Sequence, residues 1–182
     1  MRAFLREILV TLILAVVIFF LLQITVMTCP IVGSCMEPTL QEEGQRVLIN
    51  KVVYHFHEPD RGDIIVFHPP HKAQKTPPYI KRIIALPDDT IEIKMGAVYV
   101  NGSPLYEPYV EALANYTIPK REIPENEYFV LGDNRPNADD SHNGWTVPRQ
   151  NIIGKAWLSI WPPSTWGLAP NYPLGEQLAS SG

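Results

Sequence analysis

Two cysteines, Cys29 and Cys35, are all that this chain of 182 residues contains. They allow at most one disulfide, which excludes a disulfide-stapled scaffold, and their spacing is not that of a metal-binding pair. Positive charge is also scarce: 15 Lys plus Arg stand against 19 Asp plus Glu, a formal net charge of −4. Without a basic field to neutralise phosphates, nucleic acid is not an expected partner. His55-x-His57 and His68-x-x-His71 lack a third ligand at diagnostic spacing, so neither a metal nor another cofactor is expected. Proline, by contrast, is plentiful at 18 residues. Each proline in a helix interior removes a hydrogen bond and clashes with the preceding turn, which argues against an all-helical body.

One long apolar run is present. From Ile8 to Met27 the sequence reads ILVTLILAVVIFFLLQITVM, without a charge. At about 1.5 Å per residue, such a helix spans the roughly 30 Å hydrocarbon core of a bilayer. Arg2 and Arg6 precede it and no Lys or Arg follows until Arg46. The positive-inside bias therefore places the amino terminus in the cytoplasm and the body outside, in a single-pass arrangement at the cell membrane. A cleaved secretory signal is the rival reading, but the run is longer than such segments usually are and its end, Thr25-Val26-Met27-Thr28-Cys29, offers no small-x-small cleavage site. The expected division is residues 1–28 as cytoplasmic start and anchor, and 29–182 as one extracytoplasmic domain. Beyond residue 28, 13 basic residues face 18 acidic ones, net −5. Attraction to anionic lipid does not hold such a body near the bilayer.

After Pro30 the apolar runs are short and rich in β-branched residues: Arg46–Lys51, Asp63–Phe67, Tyr79–Leu86, Thr90–Lys94, Ala97–Val100, Glu127–Leu131 and Ile152–Ile160. Turn residues separate them, including Arg61-Gly62-Asp63, Met95-Gly96, Asn101-Gly102 and Gly132-Asp133-Asn134. The pattern predicts a mainly β, antiparallel fold, with a hairpin from Thr90 to Val100 through Met95-Gly96. His68–Pro78 and Tyr106–Glu125, rich in proline and polar residues, are predicted as long surface loops. Trp145, Trp157, Trp161 and Trp166 suit either a lipid-interface surface or the β core.

Four segments, in order behind the apolar run, resemble the boxes of the type I (leader) signal peptidase family. They are Gly33-Ser34-Cys35-Met36-Glu37-Pro38-Thr39-Leu40, Gly62-Asp63-Ile64-Ile65-Val66-Phe67, Tyr79-Ile80-Lys81-Arg82-Ile83-Ile84-Ala85-Leu86-Pro87, and Gly132-Asp133-Asn134-Arg135 continuing through Asp140-Ser141. The resemblance covers nearly the whole chain. It implies a barrel-like antiparallel signal peptidase fold and a membrane-bound serine endopeptidase with a Ser/Lys dyad. Its substrates would be preproteins whose signal peptides carry small side chains one and three residues before the cut.

On that resemblance, residue 35 is the nucleophile and Lys81 the general base. The family has Ser immediately before Met-x-Pro, whereas this chain has Cys35, with Ser34 one position upstream as the less favoured register. The alternative reading of Cys35 is a disulfide partner of Cys29 or a small buried residue. Gly33, Ser34 and the Cys35 amide are expected near the oxyanion, with Asp140 and Ser141 in support. Where many members carry a hydroxyl that orients the lysine, this chain has Ala138, which leaves Ser141 or a backbone carbonyl for the task. His142 stands where the family has Arg. Lys81 lies in an apolar strand-like run, where burial disfavours the charged amine and would lower its pKa. Met36, Ile31, Ile80 and Ile83 are candidate walls of the substrate pockets. Two other functions fit less of the sequence. Cys35, Ala138 and His142 would also suit a catalytically silent membrane-anchored binding protein, and an autoprocessing Ser/Lys peptidase would leave the anchor unexplained.

Overall fold

The structure, a computed structural model, describes residues 2–41, 44–73, 76–172 and 174–179. It opens with α1 (Arg2–Thr25), a helix of 24 residues whose apolar side chains are exposed. At about 1.5 Å per residue it is long enough, and by composition apolar enough, to cross a bilayer. Two of its polar side chains need no water: the Thr11 and Thr25 hydroxyls each donate at 2.9 Å to the carbonyls of Glu7 and Leu21, four residues back.

The helix stops short of Met27. Val26 and Met27 instead open β1 (Val26–Pro30), which pairs antiparallel with β2 (Arg46–Asn50). Here a partner strand wins over the apolar run: the ladder satisfies the backbone of residues that hydrophobicity alone assigns to the helix. The Thr25 carbonyl at the helix end accepts the Lys51 N–H at 2.9 Å. No linker separates helix and sheet, so the direction of α1 is tied to the body.

Two antiparallel sheets follow. The larger has the order β1-β2-β11-β3-β4-β9-β10, with β12 on β11, where β3 is Ile64–Phe67, β4 Tyr79–Ala85, β9 Glu127–Leu131, β10 Val147–Pro148, β11 Ile152–Trp161 and β12 Gly167–Leu168. The smaller has the order β7-β6-β5-β8, with β5 Thr90–Lys94, β6 Ala97–Val100, β7 Ser103–Pro104 and β8 Ile118–Glu122. Fold class therefore follows the sequence pattern: mainly antiparallel β behind one apolar helix. The predicted hairpin is β5–β6, closed by Met95 at φ 51° and Gly96 at φ 79°. Two positive-φ residues make the primed turn that matches strand twist.

One predicted loop is not a loop throughout. Within Tyr106–Glu125, β8 pairs with β5, with Ile93 opposite Ile118 and Thr90 opposite Glu122. Pro119 hides this strand from a sequence reading, but β8 is an edge strand, where a missing N–H is tolerated. The pairing places Ile118 in the core between the sheets, 7% exposed, beside Ile91, Ile93, Val98 and Phe129.

β4 is buried along most of its length and feeds three cores at once. Ile84 joins the inter-sheet core, Ile80 packs with Cys29, Ile31, Met36 and Val66, and Ile83 packs with Ile65, Phe67 and Val130. Trp157, Trp161 and Trp166 are largely exposed on and beside β11, while Trp145 packs against Phe67. Ile118→Ala is expected to cost about 2–5 kcal/mol, the range for truncating a buried isoleucine. Urea unfolding checks it: a loss below about 0.5 kcal/mol, the level of an exposed loop position, would remove β8 from the core.

Candidate active site

Strand alternation sends Lys81 and Arg82 to opposite faces of β4. Both are buried, at 3% and 0% exposure, and each has a different company. Arg82 meets Asp133 through two parallel hydrogen bonds, Nε to Oδ1 at 2.9 Å and NH2 to Oδ2 at 2.7 Å, and Asp133 is also fully buried. The remaining guanidinium nitrogen donates to the carbonyls of Gly62 at 2.9 Å and Pro170 at 3.0 Å, and the plane lies 4.1 Å from the Tyr109 ring centroid. A planar fork suits this site as an ammonium would not.

That ion pair anchors the loop after β9 against β4. The next residue, Asn134, reaches the segment carrying Cys35: its N–H donates to the Cys35 carbonyl at 3.1 Å and its amide to the Ser34 carbonyl at 3.1 Å. Gly132 permits the approach, since a Cβ there would stand 2.5 Å from the Cys35 carbonyl oxygen and 2.6 Å from the Ala138 Cβ. Asp140 holds the same loop from behind, accepting the Gly132 N–H at 2.9 Å.

With the two segments fixed, Lys81 Nζ lies 2.9 Å from Cys35 Sγ and donates to the Ile80 carbonyl at 3.0 Å. The Tyr79 ring centroid lies 5.4 Å from the amine. Among the described residues no carboxylate comes within ion-pair distance of Lys81, and the Cys35 N–H donates to no protein acceptor. The Cys35 amide is thus free to receive a negatively charged oxygen. Cys29 and Cys35 are both free thiols, and burial pushes the Cys29 thiol up from its ordinary range.

Around the pair lies an open cleft of about 460 Å³, walled by Cys29, Pro30 and Val32–Cys35 on one side, Pro77–Lys81 on the other, with Asn137 and Asp139 at one end. Tyr79 donates to Asp139 at 3.1 Å, and Asn143 does so at 3.0 Å. Burial alone would raise the Asp139 carboxyl, but these hydrogen bonds, with His71 and Lys72 beside it, hold it below the usual carboxylate range.

The predicted residues divide. Cys35, Lys81, Gly33, Ser34 and Ile80 meet at the cleft. Ser34 turns its hydroxyl to the Asn137 amide at 2.8 Å, so the sulfur rather than that oxygen faces the lysine. Met36, Ile31 and Ile83 do not reach the cleft wall; they are fully or almost fully buried in the cores beneath it, where packing and not substrate occupies their surfaces. Ser141 does not orient Lys81: its hydroxyl accepts the Val130 N–H at 3.0 Å. The Ile80 carbonyl takes that part. Sequence reasoning missed Asn134, Asn137 and the Tyr79–Asp139 bond, although all these residues lie in or next to the third and fourth boxes.

Residues 4–161 match the family described as signal peptidase, peptidase S26. The chain is 44% identical over 170 residues to probable signal peptidase I-1 of Synechocystis sp., covering 90% of this chain and 86% of that one. It is 37% identical over 140 residues to thylakoidal processing peptidase 1 of Arabidopsis thaliana, covering 72% of this chain and 41% of the plant protein. A crystal structure of a signal peptidase I from Enterococcus faecalis V583 superposes over 54% of this chain and 97% of that one, at 32% identity and a TM-score of 0.47. The chain is a peptidase, a hydrolase in reaction class. It belongs to the signal peptidase, peptidase S26 family.

Two expectations arise from the supporting loop. Gly132→Ala forces the Cys35 carbonyl away, and a displacement near 1 Å at a reacting group can cost about 10²-fold in rate. Peptidase turnover should fall by that order with a smaller loss in thermal stability; unchanged turnover would refute the close approach. At the far side, the hydrogen bond to Asp140, with Nδ1 to Oδ1 at 2.7 Å, holds the His142 imidazole above its ordinary pKa, against burial. A folded-state pKa raised above the unfolded one stabilises fully below about pH 6.5, and the contribution is lost as pH rises through the folded value. Urea unfolding followed upward from about pH 6 should therefore show a decline that His142→Asn lacks; parallel profiles would refute the coupling.

Proposed function

We propose that this protein is a membrane-anchored endopeptidase that removes signal peptides from exported preproteins after small residues, with Cys35 as nucleophile and Lys81 as general base. One observation carries the reading: a buried lysine amine 2.9 Å from a free thiol, in an open cleft, with no carboxylate among the described residues claiming the amine. The relatives' printed names, signal peptidase and thylakoidal processing peptidase, supply the substrate class.

An extended preprotein segment lies between residues 29–35 and 77–81, pairing through its backbone, while the Val32, Tyr79 and Ile80 walls leave room for small side chains. Lys81 takes the Cys35 proton while Sγ attacks the scissile carbonyl carbon. The Cys35 N–H donates to the developing oxyanion. Lys81 then returns the proton to the leaving amine, and water attacks the resulting thioester with Lys81 again as base.

The anchor fits the same task. α1 crosses the bilayer with its amino terminus in the cytoplasm and passes directly into β1, whose last residues, Cys29 and Pro30, wall the cleft. A five-residue strand spans only about 17 Å, so the nucleophile stays close to the outer membrane surface where a signal peptide emerges.

Lys81→Ala should lower preprotein cleavage by about 10²–10⁴-fold, the usual contribution of a positioned base. Iodoacetamide should inactivate the wild-type protein and leave Cys35→Ser untouched, since Cys29 is only 7% exposed. Mass spectrometry of a cleaved preprotein reads both. Cleavage that survives Lys81→Ala would sink the mechanism, and absence of cleavage in every version would favour the silent binding protein.

A further inference from the structure

The sulfur at position 35 has a consequence for what the enzyme can make. Resting on the cleavage reading, we infer that this protein is also a peptidyl transferase, which passes the carboxyl end of the cut peptide from Cys35 to a primary amine in competition with water.

The cleft is poor in bases. Clearing the thioester with water requires a group to take a proton from a poor nucleophile. Tyr79 spends its hydroxyl on Asp139, and Asp139 is held by Tyr79 and Asn143 with His71 and Lys72 nearby. The buried Cys29 thiol lies 3.6 Å from the Pro30 carbonyl. Ser141 and Asp140 serve the backbone of β9 and of Gly132. Among the described residues Lys81 alone remains, and besides Cys35 its one hydrogen-bond acceptor is the Ile80 carbonyl.

A neutral amine asks for less. It attacks without prior deprotonation, and a thioester carbonyl, poorly stabilised by sulfur, yields to amines far more readily than an oxygen ester does, while the two differ little towards water. Access is open as well: Val32 is 81% exposed beside Cys35, and Asn137 at the other end of the cleft is exposed.

The step balances without oxidant or cofactor. Sγ bonds to the scissile carbonyl carbon, the C–N bond breaks, and the thiol proton reaches the leaving nitrogen by way of Lys81. The acceptor amine then bonds to the same carbon and gives one proton to Lys81. The C–S bond breaks, and the proton returns to Sγ. The products are a new amide on the cut peptide and the free thiol.

The test uses the full chain in detergent, a peptide spanning a signal-peptide cleavage site with alanine one and three residues before the cut, and glycinamide as acceptor. Mass spectrometry measures the ratio of glycinamide-capped to free-acid product for wild type and Cys35→Ser. The ratio is expected to rise in proportion to glycinamide and to exceed that of Cys35→Ser by at least about tenfold at equal acceptor concentration. Cleavage giving only free acid, or equal ratios in the two proteins, overturns the transferase and leaves the peptidase standing. Cleavage by Cys35→Ser but not by wild type overturns the transferase and the thiol mechanism together. Cleavage by neither overturns the function proposed above as well.

Discussion

Arg82 and Asp133 meet where no water reaches either side chain, and the placement of the cleft residues descends from that contact. Two charges at this depth are tolerated only because every guanidinium nitrogen has a partner: two on the carboxylate and one on the carbonyls of Gly62 and Pro170. Removing one member of such a pair leaves an uncompensated charge, at a cost of about 3–5 kcal/mol. The pair thus ties β4 to the loop after β9 in one geometry. Each partner has a neighbour that bears on the site. Lys81 precedes Arg82 and Asn134 follows Asp133, so one buried contact sets both the amine and the hydrogen bonds that hold the Cys35 segment. The 2.9 Å between Nζ and Sγ is the sum of these constraints.

The second constraint comes from the other side of the cleft. β1 delivers Cys29 and Pro30 to the wall, and α1 ends one residue before β1 starts. A body of net charge −5 gains nothing from an anionic lipid surface. In the proposed arrangement the helix therefore does the anchoring, and the absence of a flexible linker converts the anchor into a positioning device. The exposed Trp157, Trp161 and Trp166 sit on and beside β11, which pairs with the same strand, β2, that β1 pairs with. That places amphipathic rings in the part of the sheet joined to the helix.

How much of this the sequence showed depended on whether the deciding interaction was local. The β5–β6 hairpin was legible because Met95-Gly96 and Asn101-Gly102 carry the turn chemistry themselves, and the β4 run was legible from its apolar continuity. β8 was not, since Ile118–Glu122 contains a proline and three successive charged residues and becomes a strand only by pairing with β5. The end of α1 was misread for the same reason: Val26 and Met27 are apolar enough for the helix, and only β2 makes them strand. At the site, Cys35 and Lys81 could be singled out by their boxes, but the direction of each side chain could not. Met36 and Ile31 neighbour the cleft in sequence and lie under it in space, and Ser141 faces the β9 backbone rather than the lysine.

Two differences from the boxes that the sequence resembles point the same way under the proposed mechanism. Cys35 stands where the resemblance implies Ser, and Ala138 where it implies a hydroxyl that orients the lysine. A serine hydroxyl gives up its proton only to a well-aimed base, whereas a thiol with an ordinary pKa of about 8.5 needs far less assistance. Under the proposed mechanism, a lysine aimed only by the Ile80 carbonyl is then sufficient for the attack. What sulfur does not ease is the second half of the reaction, where water must be activated by that same lysine. The site is consequently better matched to forming its covalent intermediate than to hydrolysing it, and that imbalance leaves an opening for an amine.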